Sequence, residues 1–89
     1  MRKVIRSYLN SFKFPNQVGK AKNWDDCVAV CFRGDPIPLV IIKPDGETWI
    51  RRNFDAPADN KNWLILSLAD PSFQRRVENQ VSLLLGAYL

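Results

Sequence analysis

Leu39-Val40-Ile41-Ile42-Lys43-Pro44-Asp45-Gly46-Glu47-Thr48-Trp49-Ile50-Arg51-Arg52-Asn53-Phe54 is the stretch on which the fold turns. Its first four residues are an apolar, β-branched run, and its last seven mix aromatic, β-branched and polar side chains. Between them, Pro44-Asp45-Gly46 is a turn with a mechanism. Proline presets φ, aspartate hydrogen-bonds nearby backbone, and glycine takes the position that requires φ > 0. A turn of this kind between strand formers predicts a β-hairpin. Nothing in the hairpin is a catalytic signature.

Strand candidates flank the hairpin on both sides. Upstream, Cys27-Val28-Ala29-Val30-Cys31-Phe32 is apolar throughout and reads as a buried strand. Arg33-Gly34-Asp35-Pro36 turns the chain, and Pro38 keeps Ile37 out of a regular ladder. Downstream, residues 55–62 are polar and broken by Pro57, and Trp63-Leu64-Ile65-Leu66-Ser67-Leu68 is the next strand candidate.

Helices close the two ends. Over residues 2–13, Val4/Ile5, Tyr8/Leu9 and Phe12 form one face, with Arg2, Arg6, Asn10 and Lys13 on the other, an amphipathic helix. Pro15 stops it near Phe14 by disfavouring the α conformation in the residue before it. Residues 16–23 are polar, contain Gly19 and read as a loop. Asp70-Pro71 supplies an N-cap and a first helical residue, and Phe73, Val77, Val81, Leu84 and Tyr88 mark the stripe that follows. The expected architecture is α+β: an N-terminal amphipathic helix, an antiparallel sheet of three to four strands, and a long C-terminal helix packed on one face. One domain over residues 1–89 is expected, with a basic helix and loop over 1–22, a sheet over 24–68 and the last helix over 70–89.

The chain has 89 residues, enough for one core, and a formal net charge of +4. That charge is unevenly placed, because residues 1–22 hold Arg2, Lys3, Arg6, Lys13, Lys20 and Lys22 and no acid. A basic arm on a mildly acidic body points to an anionic partner, nucleic acid, a membrane surface or an acidic protein surface, against the plainer reading of a solvated basic face. No apolar run approaches the roughly 20 residues of a membrane span. Cys27 and Cys31 on one strand would stand roughly 13 Å apart, too far to bridge, so free thiols and a cytoplasmic setting are expected. The first 22 residues also fit a transit-peptide composition, but a mature N-terminus is expected.

Enzyme signatures are nearly missing. There is no histidine, the commonest general base and metal ligand, and the four glycines form no phosphate loop. Two thiols without histidine do not complete a zinc site, and neither has a recognisable activating base. Asp45 and Glu47 flank a turn glycine, where turn chemistry explains them. Arg33-Gly34-Asp35 spells an integrin-binding tripeptide, but Gly-Asp-Pro is an ordinary turn. The expectation is therefore a non-enzymatic module without cofactor or metal, binding nucleic acid through its basic helix and hairpin strand, or alternatively a protein-interaction module. Candidate contacts are Arg2, Lys3, Arg6 and Lys13 from the first helix, Trp49, Arg51 and Arg52 from the hairpin, and Arg75 and Arg76 near the start of the last helix. The apolar C-terminal segment from Val81 to Leu89 suggests burial or a homodimer through that helix.

The order of elements over residues 27–89 is similar to that of the Whirly and Pur-alpha type of single-strand-binding modules, with Trp49-Ile50-Arg51-Arg52 as the basic-aromatic strand. Such modules bind on a curved sheet face and dimerise through helices. The likeness is one of arrangement, and Pro36-Ile37-Pro38 shortens the second strand relative to it.

Overall fold

The computed structural model describes residues 2–53 and 63–86. In chain order the elements are α1 (Arg2–Asn10), β1 (Lys22–Trp24), β2 (Cys27–Cys31), β3 (Pro38–Ile42), β4 (Glu47–Arg51), β5 (Trp63–Ser67) and α2 (Phe73–Gly86). The strands form one antiparallel meander in the order β1-β2-β3-β4-β5. The class is α+β, but the sheet has five strands rather than three to four. The additional strand, β1, falls at the end of the stretch read as a loop. Its three residues are all exposed, so no burial pattern marks them, and pairing to β2 alone makes them a strand. Asp25-Asp26 joins the two strands, with Asp25 at φ 52, a left-handed conformation that aspartate tolerates.

The central hairpin forms as its turn chemistry dictates. The Gly46 amide donates to the Lys43 carbonyl at 2.9 Å, and the Lys43 amide to the Glu47 carbonyl at 2.9 Å. Asp45 Oδ1 accepts the Glu47 amide at 2.9 Å, and Gly46 sits at φ 91. This three-residue connection, with a left-handed glycine at its end, matches the twist of the strands. Register then follows, Ile42 facing Thr48, Ile41 facing Trp49 and Val40 facing Ile50. Pro38 opens β3 opposite Cys31, beside a register shift between Val30 and Cys31.

Side-chain alternation gives the sheet two faces. Val28, Val30, Val40, Ile42, Thr48, Ile50 and Leu66 share one, and every one of them is buried. Ile5, Leu9 and Phe12 from the N-terminal segment and Phe73, Val77, Val81, Leu84 and Leu85 from α2 complete this core. Both helices therefore lie over one face, α1 against β1 and β2 and α2 against β4.

α1 ends at Asn10, short of the expected Lys13. The Ser11 and Phe12 amides turn back to the Tyr8 and Leu9 carbonyls, tightening the last turn, and Asn10 Oδ1 is taken by the Ala21 amide at 2.8 Å. Asp70 caps α2 as expected: its Oδ1 accepts the Ser72 amide at 2.8 Å. Regular helix begins at Phe73 and is described to Gly86, and the expected continuation to Leu89 lies outside the described residues. The described part of the α2 stripe, Phe73, Val77, Val81 and Leu84, is buried within the chain, and Leu83 alone of the helix's described large apolar residues is strongly exposed. Among the described residues no helix is long and apolar enough to cross a membrane.

Candidate functional site

The residues singled out from sequence do not converge. The sheet separates them into two surfaces, one on the helix layer and one on the opposite face.

On the helix layer, Arg2 and Lys3 are exposed on α1 with Arg6 half-buried, and Lys13 follows just beyond the helix end. Arg2 donates to the Asp25 backbone carbonyl at 2.8 Å and Arg6 to Asn23 Oδ1 at 3.0 Å. Both acceptors are neutral, so the guanidinium groups are oriented without losing their charge. The Lys13 amide donates to Glu78 Oε2 of α2 at 2.6 Å, which ties the chain after α1 to the second helix. Val4 and Tyr8 are exposed among these cations, and the Tyr8 ring meets Phe12 edge-on at 4.8 Å. Between Arg2, Asp25, Asp26 and Pro44 lies an open cleft of about 540 Å³.

Arg75 and Arg76 lie on α2 of the same layer but play different parts. Arg76 pairs with Asp70 Oδ2 at 2.9 Å, closing the cap from the side. The Ser72 amide, and then Arg76, hold the Asp70 carboxyl below the usual carboxylate range. Arg75 is exposed and makes no ion pair among the described residues.

The opposite face carries all three tryptophans. Lys22, Ala29, Ile41, Trp49 and Ile65 stand in one row across the strands, and Trp24 and Trp63 flank that row. Each tryptophan has a cation beside its ring: Lys22 at 5.7 Å from Trp24, Lys43 at 4.5 Å from Trp49, and Arg51 at 5.8 Å from Trp63. The Trp49 and Trp63 rings are 6.2 Å apart and tilted. Arg51 is only 6% exposed, so it is closed into the face rather than offered to a phosphate. Lys43 is also engaged, 3.0 Å from Glu47 Oε2. That bond first, and then the Trp49 indole, lower the pKa of the Glu47 carboxyl. Trp49 Nε1 itself is buried and completes no hydrogen bond within geometric reach among the described residues. Arg52, exposed past the end of β4, has its Nε 3.4 Å from the Trp63 carbonyl.

Lys22, Trp24 and Ile65 were not among the expected contacts. The available signal was the alternation Lys22-Asn23-Trp24 ahead of the Asp-Asp turn, which puts lysine and tryptophan on one side. Cys27 and Cys31 are free, and burial, followed by Asp26, pushes the Cys27 thiol up. Among the described residues no three Cys, Asp or Glu side chains gather as metal ligands would. No protein-family model, curated protein or solved structure matches the chain.

Proposed function

We propose that this chain is a non-enzymatic binding module that takes nucleic acid on its helix layer, through Arg2, Lys3, Arg6, Lys13 and Arg75. The observation that carries this reading is that none of these five cations pairs with a carboxylate among the described residues, while Arg2 and Arg6 are held in place by neutral acceptors. Charge that is positioned and not neutralised within the chain suits a phosphate backbone. Trp49 and Arg51 leave the expected contact set, because they lie across the sheet from α1, and Arg76 leaves it because it completes the α2 cap.

The test is fluorescence anisotropy with single- and double-stranded oligonucleotides over a salt series. Up to five phosphate contacts give a slope of log affinity on log salt as steep as about −4.5 for duplex and about −3.5 for single strands. Undetectable binding, or affinity indifferent to salt, rules the reading out. Val4 and Tyr8, apolar and exposed among the cations, favour a second reading, an acidic protein surface with an apolar anchor. Partner capture that survives nuclease treatment separates the two.

A further inference from the structure

At the carboxyl end of α1 the helix layer holds a further cleft, of about 190 Å³, with a basic lining. Three separate segments meet there: Asn10 at the end of α1, Lys20 ahead of β1, and Arg33 just after β2. Backbone pairing fixes the last two. The Gly19 amide donates to the Cys31 carbonyl at 2.9 Å, the Arg33 amide donates to the Gln17 carbonyl at 2.7 Å, and Val18 bridges Phe32. Arg33 Nε donates to the Asn16 carbonyl at 2.7 Å, which orients the guanidinium on a neutral acceptor and leaves its terminal amino groups to donate elsewhere. Asn10 Oδ1 is taken by the Ala21 amide, so the remaining half of that side-chain amide is a donor, Nδ2. Among the described residues neither Lys20 nor Arg33 forms an ion pair, and no carboxylate lines the cleft. Asp35, two residues beyond Arg33, turns its Oδ1 to the Ile37 amide.

We propose that this cleft seats the terminal phosphate monoester of a nucleic-acid strand. The inference rests on the nucleic-acid reading above and adds to it where the strand ends. A guanidinium, an ammonium and an amide N–H from three directions suit the three oxygens of one phosphate. Charge favours a terminal phosphate over an internal one. A monoester carries nearly two negative charges at neutral pH and an internal diester one, and two cations without a carboxylate partner share this small cleft. The cations of α1 are instead spread along its length, and Lys13 follows at this same end, so a strand lying along the helix brings its terminus to Lys20 and Arg33. The carboxyl end of a helix carries at most about half a negative charge, which opposes an anion, and two full positive charges in the lining outweigh it. The Tyr8 and Leu9 carbonyls there are already turned to the Ser11 and Phe12 amides. Half-buried Phe14 lines the same cleft and gives the terminal nucleoside an aromatic surface that free phosphate does not use.

Fluorescence anisotropy tests this with one single-stranded oligonucleotide ending in hydroxyls and the same strand carrying a phosphate at one end or at the other. One phosphorylated form is expected to bind at least about tenfold tighter than the hydroxyl form. Lys20→Gln with Arg33→Gln, both at exposed positions, should bring that ratio to within about twofold of unity while the hydroxyl strand still binds, and Arg52→Gln should leave the ratio unchanged. Should the double variant fail to fold, Lys20→Glu carries the same test alone, by setting a like charge against the phosphate. Equal binding of all three strands, or a preference that survives these variants, overturns the inference and leaves the nucleic-acid reading standing. Inorganic phosphate titrated by NMR should shift the Gly19 and Arg33 amides and bind more weakly than the phosphorylated strand. Binding as tight as that of the strand overturns the nucleic-acid terminus as the occupant. If no oligonucleotide binds at all, the nucleic-acid reading itself falls, and this inference with it.

Discussion

The carbonyl of Gly46 accepts the amide of Leu68 at 3.0 Å, and a Cβ on Gly46 would stand 3.2 Å from the Leu68 Cβ. The turn of the central hairpin is thus seated against the residue that follows β5. Gly46→Ala is expected to cost about 1–2 kcal/mol from the left-handed backbone alone, plus the displacement of Leu68. Gly34, at φ 84 with nothing within 4 Å of its Cβ position, supplies the comparison, since Gly34→Ala carries the backbone cost alone. Urea unfolding of the two variants measures the difference. Equal losses would show that the Leu68 approach carries no weight.

The α1 face makes a second quantitative expectation. Leu9 is fully buried and Val4 is 68% exposed, although both fell on the apolar side of the sequence pattern. Leu9→Ala should cost about 2–5 kcal/mol, the range for emptying a filled core site. Val4→Ala should stay within about 0.5 kcal/mol. A large loss at Val4 in chemical denaturation would mean that a surface covers α1 in solution.

Legibility in the sequence followed locality. The Pro44-Asp45-Gly46 turn and the Asp70-Pro71 cap were readable because their physics is contained within a few residues. The faces of β4 were readable as well, since Trp49 and Arg51 do share a side. β1 was not readable: Lys22-Asn23-Trp24 has no buried residue, and its strand character comes from Val28 and Ala29 across the ladder. Nor did the pattern show that Lys43 would bind Glu47, that Arg51 would close beside Trp63, or that Arg76 would turn to Asp70. The last two pairings engage cations that the pattern had offered as contacts, Arg51 and Arg76. The separation of Arg2, Lys3 and Arg6 from Trp49 is a property of the layers, visible only once both helices are placed on one side.

Two half-buried carboxyls set an expectation for pH. Asp70 is lowered by the Ser72 amide and then Arg76, and Glu47 by Lys43 and then Trp49. A folded pKa below the unfolded value means that this contribution is fully present above the unfolded pKa and is lost as pH falls through the folded one. Stability should therefore begin to fall near pH ~4 and continue downward, with no change from these groups around neutrality. Asp70→Asn retains an N-capping side chain but removes the titration and the Arg76 ion pair. Its denaturation midpoint should fall less steeply than that of the parent between neutral and acid pH. An undiminished acid-side slope would assign the effect to other carboxyls.

The division of cations between two surfaces gives the sharpest functional contrast. Lys3→Glu with Lys13→Glu alters the helix layer at two exposed positions whose side chains make no hydrogen bond or ion pair among the described residues. If both touch phosphates, the double variant should flatten the salt slope by about 1.8, at 0.9 per lost contact, and weaken binding to all sequences alike. Trp49→Ala, on the far side of the sheet, should leave nucleic-acid affinity within about twofold as long as the fold is intact by circular dichroism. Anisotropy titrations of both variants beside the parent decide between the surfaces. A Trp49→Ala loss larger than that of the double lysine variant would place the ligand on the tryptophan face, where bases would stack on the rings that Lys22 and Lys43 now flank, and would remove α1 from the contact.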